Sequence, residues 1–300
     1  MAVGTLVRPS RAKSALTGIR NFSADRVTLI FIVILATIFL SAIFATWIVP
    51  GDPFKGNLRD RLKPPAWSEK GDSKFMLGTD PQGRDILSRL IMGARVSLTV
   101  GFGVVAIAGL VGTIAGLVAG FFGGRVDQVI MRILDVQFAL PGMLVALTIA
   151  GVLGPNMKNL MIALSVNGWM VFARVIRGMV LSIKNRPFVE AALAVGCSRW
   201  RIVFVHIFPH TLASLSTLAV IEVARIILAE ASMSFLGLGI QPPGASWGLM
   251  LGEGRMYITT AWWLVTFPGL AIAITILSLN MLALRMRSYS DPLQRRAMKF

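Results

Sequence analysis

Charge and cysteine are both scarce in this 300-residue chain. Only 15% of the residues are charged, and the single cysteine, Cys197, excludes an intrachain disulfide and leaves no cysteine cluster for zinc or iron–sulfur. Hydrophobic residues make up 55% of the chain and the mean hydropathy is +0.72, which is more apolar surface than a soluble core of this size can enclose. Much of the chain is therefore expected to lie in lipid.

Motifs for nucleotide chemistry and hydrolysis are also lacking. No G-x-x-x-x-G-K-[ST] phosphate loop occurs, so the chain is not expected to be an enzyme that hydrolyses ATP itself. An intramembrane hydrolase is disfavoured, because no H-E-x-x-H pair occurs and no G-x-S-x-G nucleophile elbow is expected. The net charge of +16 does not indicate nucleic acid, since the basic residues lie between apolar blocks and not on one polar face.

Six apolar blocks are long enough to cross a membrane. A hydrocarbon core about 30 Å thick needs roughly 20 helical residues. The predicted spans are residues 27–49, 96–122, 129–153, 160–183, 211–238 and 261–284. The sequence therefore predicts an all-α polytopic membrane protein. Its predicted parts are an N-terminal segment (1–26), a first span and external loop with an interfacial helix (27–95), a five-span core (96–284) and a tail (285–300).

The basic residues predict how these spans are oriented. Six spans place both termini on the same side of the membrane. With the termini inside, most of the 30 lysines and arginines lie in cytoplasmic segments, and the 50–95 loop outside mixes basic with acidic residues. We therefore expect a multi-pass membrane protein with both termini in the cytoplasm.

Glycine recurs every four residues around the second predicted span. Gly112, Gly116, Gly120 and Gly124 form a ridge without side chains, which another helix can approach closely. The neighbouring helix belongs either to this subunit or to a second one, and the sequence leaves both interpretations open.

Residues 184–210 carry helix start and stop signals. Pro187 suits a first helical turn, Glu190 is favourable near the positive end of the helix dipole, and Gly196 suits a left-handed residue that ends the helix. Ser198 can cap a second helix, which Pro209 is expected to interrupt. The pattern predicts a short helix, a turn and another helix, an element that fits a groove of a soluble partner.

This loop resembles the EAA motif of binding-protein-dependent ABC import permeases, through Glu190, Ala191, Ala192, Gly196, Phe208 and Pro209. Two departures are mild: Phe208 stands where the family usually has leucine, and His210 where its peptide branch often has asparagine. The resemblance implies a coupling helix that docks into an ATP-hydrolysing subunit. The implied contact positions are Glu190, Ala191, Ala192, Gly196, Ser198 and Arg199.

Two further stretches, residues 77–98 and 229–251, resemble signatures of the dipeptide, oligopeptide and nickel permeases, specifically the second permease subunit. The similarity extends from about residue 20 to residue 293. It implies a type I importer permease fold and a location in the bacterial inner membrane. It also implies a second permease subunit, a periplasmic binding protein and two ATP-binding subunits that hold ATP and Mg. No cofactor is implied in this chain. Peptide cargo is favoured, with a nickel chelate or glutathione as alternatives.

Charged residues outside this loop have two interpretations each. Asp80, Arg84 and Arg89 are predicted to contact a docked binding protein or an anionic ligand, or else lipid headgroups through an external helix. In the fifth span, Glu222, Arg225 and Glu230 are predicted to form a structural ion pair or to line the cargo pathway.

Other interpretations are weaker. His206 and His210 have no third ligand nearby, so no metal site is predicted. An ion-coupled symporter is the rival transporter, because buried glutamates can carry protons, but it does not need a docking loop. Trp247, Trp262 and Trp263 are expected to form an interfacial belt.

Overall fold

The computed structural model describes residues 26–290, and within that range the chain is helical apart from loops and one isolated bridge between Thr79 and Asp85. A single helical turn, Ala45–Ile48, follows the first helix. The prediction of an all-α protein is confirmed. Residues 1–25 of the predicted N-terminal segment and residues 291–300 of the predicted tail lie outside the described residues. The helices are α1 (Arg26–Ile43), α2 (Ile86–Phe122), α3 (Gly124–Phe138), α4 (Gly142–Leu153), α5 (Met157–Ile183), α6 (Pro187–Ala194), α7 (Arg199–Phe235), α8 (Trp247–Gly254) and α9 (Trp263–Ser290).

Four of these helices, α2, α5, α7 and α9, are long and apolar enough to cross a membrane. Together α3 and α4 pass the same test as a fifth span, and α1 is a shorter apolar helix. The six predicted spans therefore correspond to four long helices, the broken pair α3 and α4, and the short helix α1 together with the helical turn that follows it.

The third predicted span, 129–153, is not one straight helix. It begins earlier, at Gly124, and α3 and α4 meet at an angle of 86°. Pro141 lies at the break, where it precedes the first residue of α4. Proline has no N–H to donate and disfavours the helical conformation of the residue before it, so α3 cannot continue through this position.

The predicted external helix is not a separate interfacial helix. It is the beginning of α2, which starts at Ile86 and runs for 37 residues, about 56 Å. Asp85 caps this start by accepting a hydrogen bond from the Ser88 backbone N–H at 2.8 Å. Since α2 is much longer than the hydrocarbon core, its first turns extend beyond the span predicted at 96–122.

The glycine ridge of α2 lies against α5. Gly112, Gly116 and Gly120 all face that helix, and a Cβ atom on Gly116 would lie 2.6 Å from the carbonyl oxygen of Ala173. The ridge ends before Gly124, which has φ +55° at the start of α3 and no neighbouring atom within 4 Å of a Cβ position. For the first three glycines, the close neighbour is therefore a helix of the same chain.

The long helices pack around α7. It contacts α2, α5, α8 and α9, while α1 lies on α2 and α9. The loops between the long helices lie at two opposite ends of the bundle. We call them the α6 end, which carries residues 184–210, and the α8 end, which carries residues 50–85 and 236–262.

Candidate functional site

The 184–210 loop forms the predicted helix–turn–helix at the α6 end. Pro187 is the first residue of α6, and Gly196 ends the turn after it with φ +84°. Ser198 caps α7 by accepting a hydrogen bond from the Arg201 backbone N–H at 3.4 Å. The turn closes because the Cys197 N–H donates to the Ala192 carbonyl at 3.0 Å. Local sequence signals thus place each of these residues in the predicted geometry.

A small apolar cluster fixes α6 to the helical bundle. Val189 is fully buried, and Ala192 and Cys197 pack beside it. Their neighbours are side chains at the ends of three long helices: Leu117 and Phe121 of α2, Ile176, Met179, Val180 and Ile183 of α5, and Ile202, Val203 and Ile207 of α7. We call this set the Val189 cluster. A displacement of α6 therefore acts on three membrane helices at once.

The opposite face of this element is open to solvent in the isolated chain. The predicted contact positions Glu190, Ala191, Gly196, Ser198 and Arg199 are exposed, and Ala192 is half-buried. Large apolar side chains accompany them, with exposed fractions of 36% for Phe188, 48% for Leu193, 84% for Val195 and 54% for Trp200. A contiguous apolar surface rimmed by charged residues is typical of a protein interface.

The expectation that Pro209 interrupts the second helix of this loop is wrong. Instead, α7 is continuous and contains a π-helical segment, Ile202–Ile207. In an ordinary α-helix a proline ring clashes with the carbonyl four residues earlier. The wider π turn relieves this clash, and the Phe208 N–H donates to the Val203 carbonyl, five residues back.

Histidines near this segment do not form a metal site among the described residues, where no group of three or more potential ligands comes together. His210 instead lies 5.1 Å from the ring of Phe188, centroid to centroid. This contact joins α6 to the first turns of α7 beyond the π segment.

Buried ion pairs join the elements at the α8 end. Asp80 accepts hydrogen bonds from Arg84 and Arg89, and both arginines also reach Glu253 of α8, Arg84 at 3.0 Å and Arg89 at 2.7 Å. The side chains of Asp80, Arg84 and Arg89 are no more than 5% exposed. Two cations and two anions make a neutral group, which is the arrangement that a buried charge requires.

The expected contact of these three residues with another molecule is therefore corrected. Their side chains face each other inside the chain and are not available to a docked protein or to headgroups. The sequence interpretation missed Glu253, because it lies more than 160 residues away along the chain. It also missed α8, which packs so closely on α7 that a Cβ atom on Gly248 would clash with the backbone of Ala231.

The loop before α2 has its own half-buried charge pairing. Lys63 lies 2.7 Å from Asp60 and 2.8 Å from Asp72. The hydrogen bonds with Asp60 and then Asp72 raise the pKa of the Lys63 ammonium, and the bond from Lys63 lowers the pKa of the Asp72 carboxyl. These contacts tie successive turns of the loop to each other.

Tryptophans at this end divide between two environments. Trp262 is 45% exposed, in keeping with the expected interfacial position, but Trp247 and Trp263 are buried. Their indole N–H groups donate to the carbonyls of Leu90 and Thr79, at 3.0 and 3.1 Å. These two side chains therefore fasten α8 and α9 to the start of α2 and the loop before it.

In the middle of α7, Glu222 and Arg225 form the predicted ion pair. The Arg225 Nε donates to Glu222 Oε2 at 2.8 Å, and its Nη2 lies 2.6 Å from the same oxygen. The two partners differ in burial: the Glu222 side chain is 6% exposed and the Arg225 side chain 47% exposed. A charge at the centre of a membrane helix costs about 2.5–3.5 kcal/mol on insertion scales, so contact with lipid is unfavourable for this exposed arginine.

Glu230 is enclosed within the subunit and lines no open surface of the isolated chain. It is fully buried, and its carboxylate accepts hydrogen bonds from Ser97 of α2 at 2.9 Å and from Ser234 at 2.8 Å. The Ser234 hydroxyl in turn accepts from the Ile240 backbone N–H at 3.2 Å. Glu230 thus links α2, α7 and the loop that leads to α8.

Charged residues in α3 also pair with α5. The Asp135 carboxylate lies 3.0 Å from Arg174, and Asp127 is paired with Arg177. Arg132 is nearer to Asp135 in sequence, three residues before it. Residues three apart share a helix face, but the partner that the fold supplies is Arg174.

A G-x-S-x-G pentapeptide does occur, at residues 244–248, contrary to expectation. Its central residue, Ser246, is fully buried and caps α8, where its hydroxyl accepts from the Leu249 N–H at 3.2 Å. A nucleophile elbow requires a strand before the serine and an exposed hydroxyl. Neither is present here among the described residues, so the motif is a helix cap.

Comparison with known proteins gives matches over nearly the whole chain. Residues 112–296 match the family described as binding-protein-dependent transport system inner membrane component, and residues 17–65 match the N-terminal transmembrane domain of oligopeptide transport permease C. The di/tripeptide transport system permease protein DppC of Pseudomonas aeruginosa is 38% identical over 96% of this chain and 94% of its own length. The dipeptide transport system permease protein DppC of Escherichia coli is 41% identical over 90% of each chain.

Among solved structures, the inward-facing methionine ABC transporter MetNI shares the fold of this chain. The TM-score is 0.56 and the identity 16%, with 67% of this chain and 96% of the transporter chain covered. The shared fold is that of a type I importer permease, as the sequence resemblance implied.

Proposed function

The chain belongs to the binding-protein-dependent transport system inner membrane components, and on that premise we propose that it is one of two permease subunits of an ATP-driven importer for di- or oligopeptides. The second permease subunit completes the pathway through the membrane. Two separate subunits bind ATP and Mg and supply the energy, and a periplasmic binding protein delivers the cargo.

The observation that carries this proposal is the construction of the α6 end. Its outer face presents exposed apolar and charged side chains, and its inner face is fixed by the Val189 cluster to α2, α5 and α7. An ordinary loop needs neither feature. An element that transmits force needs both, because it must bind a partner on one side and move helices on the other.

The ATP-binding subunits dock on the α6 end. When they close on ATP, they displace α6, and the Val189 cluster passes this displacement to the three helices that enclose it. Because packed side chains resist compression, the helix ends follow α6 as a unit. The pathway then changes between outward and inward openings.

The sidedness follows from the same assignment. ATP is available in the cytoplasm, so the α6 end and both termini lie there, in agreement with the distribution of basic residues. The α8 end lies in the periplasm and receives the binding protein.

Peptide is the cargo that the names of the similar permeases support, since several of them are described as dipeptide or di/tripeptide transport proteins. Nickel-chelate or glutathione transport is the alternative within the same family. Selection among these cargoes rests mainly with the binding protein.

Transport assays distinguish this proposal from an ion-coupled symporter. We expect peptide uptake by cells to stop when the partner ATPase subunits are deleted. We expect it to continue when an uncoupler collapses the proton gradient while ATP is maintained. Uptake that survives deletion of the ATPase subunits but stops with the uncoupler would overturn the proposal.

A charge reversal tests the docking surface directly. Glu190 is exposed on α6, and Glu190→Lys is expected to reduce co-purification of the ATPase subunits without preventing membrane insertion. Glu69→Lys is the matched control, because Glu69 is an exposed glutamate at the opposite end of the bundle. Equal ATPase recovery for both variants would contradict the docking assignment.

A further inference from the structure

One face of α7 leaves a charged side chain uncovered at mid-depth in the bundle. Arg225 lies ten residues before the end of α7 at Phe235, a rise of about 15 Å, which is half the thickness of a hydrocarbon core. Ile221 and Leu228 flank it on the same face, with exposed fractions of 41% and 52%. We call these three residues the Arg225 strip.

At the level of Arg225, the other faces of α7 are covered by this chain. Val223, Ile226 and Ile227 are at most 2% exposed, and α2, α5, α8 and α9 pack around them. The Arg225 strip is therefore the side of α7 that the subunit leaves for something else to cover.

Lipid is not a suitable neighbour for this strip. An arginine near the end of a span can extend its guanidinium to the headgroups, but the distance of about 15 Å from Arg225 to the end of the helix is longer than its side chain. Intramembrane charges almost always face a protein interior or a water-filled cavity. The strip must therefore face a pathway or another subunit.

The orientation of the guanidinium favours the pathway. Glu222 is buried behind Arg225 and holds its Nε and Nη2 through a single carboxylate oxygen, Oε2. No contact within the described part of the chain engages Nη1. The pair as a whole is neutral, but its positive partner is turned outward and still has hydrogen-bond donors available.

Resting on the function proposed above, we propose that the Arg225 strip lines the translocation pathway and that Arg225, oriented by Glu222, binds the terminal carboxylate of the peptide cargo halfway across the membrane. A carboxylate matches the planar donors of a guanidinium and every peptide with a free C-terminus carries one. A position near the middle of the bilayer is also where transporters commonly hold their cargo.

Cysteine labelling tests whether the strip meets water. The chain has a single cysteine, so Cys197→Ser gives a cysteine-free background for Ile221→Cys and Leu228→Cys. Controls are Ile227→Cys on the buried face and Leu270→Cys on α9, where the side chain is 50% exposed. The probe is trimethylammonioethyl methanethiosulfonate, a water-soluble and membrane-impermeant reagent, applied to the assembled complex in membrane vesicles.

We expect both strip positions to react, and both control positions to remain unlabelled. The labelling rate of Leu228→Cys should also differ between the nucleotide-free complex and the complex trapped with ATP and vanadate, because the pathway opens to different sides of the membrane in the two states. Strip positions that stay as unreactive as Leu270→Cys would overturn the proposal, since they would then lie in lipid or in a dry subunit contact.

Transport kinetics test the carboxylate contact. With alanyl-alanine as cargo, Arg225→Gln is expected to lower the maximal uptake rate about tenfold, the effect of one lost charge-assisted hydrogen bond. Arg225→Lys keeps the positive charge but not the planar donors, so its rate should lie between those of Arg225→Gln and the unmodified complex. The affinity of the binding protein for alanyl-alanine should not change. An unchanged rate for Arg225→Gln would overturn the carboxylate contact.

Two measurements distinguish a cargo contact at Arg225 from a contact with the second permease subunit and from failure of the proposed function. If Arg225→Gln releases the second permease subunit during purification, the carboxylate that Arg225 meets belongs to that subunit and the cargo contact is wrong. If uptake by the unmodified complex does not depend on its ATPase subunits, the proposed function fails instead. Failure of the inference alone leaves the ATP-dependent uptake of the unmodified complex intact.

Discussion

The close packing of α2 on α5 gives a quantitative prediction at Gly116. A Cβ atom at this position would lie 2.6 Å from the Ala173 carbonyl oxygen and 2.9 Å from the Ile176 Cβ atom, whereas ordinary contact begins at 3.4 Å. Gly116→Ala therefore requires a separation of about 0.8 Å between atoms of two packed helices. Overpacking of this kind costs about 1–3 kcal/mol.

The same substitution at Gly109 is the matched control. Gly109 lies on α2 two turns earlier, and its Cβ atom would make an ordinary contact of 3.6 Å with the Phe172 ring. Replacing a helical glycine by alanine gains up to about 1 kcal/mol from backbone entropy, so Gly109→Ala should be neutral or stabilising. The two variants should thus differ by about 2 kcal/mol.

Thermal denaturation of the purified complex measures this difference. For a chain of this size, about 2 kcal/mol corresponds to a shift of roughly 4 °C in the midpoint. We expect Gly116→Ala to lower the midpoint and Gly109→Ala to leave it unchanged or raise it. Equal midpoints would refute the reasoning, because they would mean that α2 and α5 are not in fixed close contact.

Two further predictions concern the two ends of the bundle. Arg89→Met should destabilise the α8 end by about 3 kcal/mol, because Arg84 alone then faces two carboxylates and the buried group keeps one net negative charge. Adding Glu253→Gln should recover part of the loss. Thermal denaturation measures both effects, with exposed Arg59→Met as the control. Val189→Ala should weaken the Val189 cluster by about 2 kcal/mol and reduce cargo-stimulated ATP hydrolysis more than basal hydrolysis. Val152→Ala, at an 81% exposed position of α4 outside the docking surface, should change neither. The first expectation is contradicted if Arg89→Met and its control have equal thermal midpoints. The second is contradicted if Val189→Ala loses basal and stimulated hydrolysis equally.

Features that depend on neighbouring residues could be predicted from the sequence. Asp85 and Ser198 cap helices because each accepts a hydrogen bond from an N–H three residues later, and Pro187 starts α6 because its missing N–H is not needed there. These interactions need no information from the rest of the fold. The apolar blocks were predictable for the same reason, since length and composition alone decide them.

Features that depend on distant partners could not be predicted in this way. Arg84 and Arg89 look like exposed cationic positions near the start of a helix. Their burial depends on Glu253 of α8, with which both form ion pairs. Similarly, the sequence identifies Pro209 as a helix breaker. The π segment that accommodates it depends on buried residues of α7 that pack against α2 and α5.

The position of Arg225 along α7 bears on how the α6 end acts upon the pathway. The Val189 cluster holds α7 at Val203, and the bond from Ser97 holds it at Glu230, 27 residues and about 40 Å away. If the bond at Glu230 stays in place while α6 moves, α7 can respond only by tilting about that point. Arg225 is about 7.5 Å from Glu230 along the helix, so a displacement at the Val189 cluster is reduced to roughly one fifth at Arg225. The cargo contact is thereby coupled to the α6 end, while most of the movement is confined to the part of α7 nearest to α6.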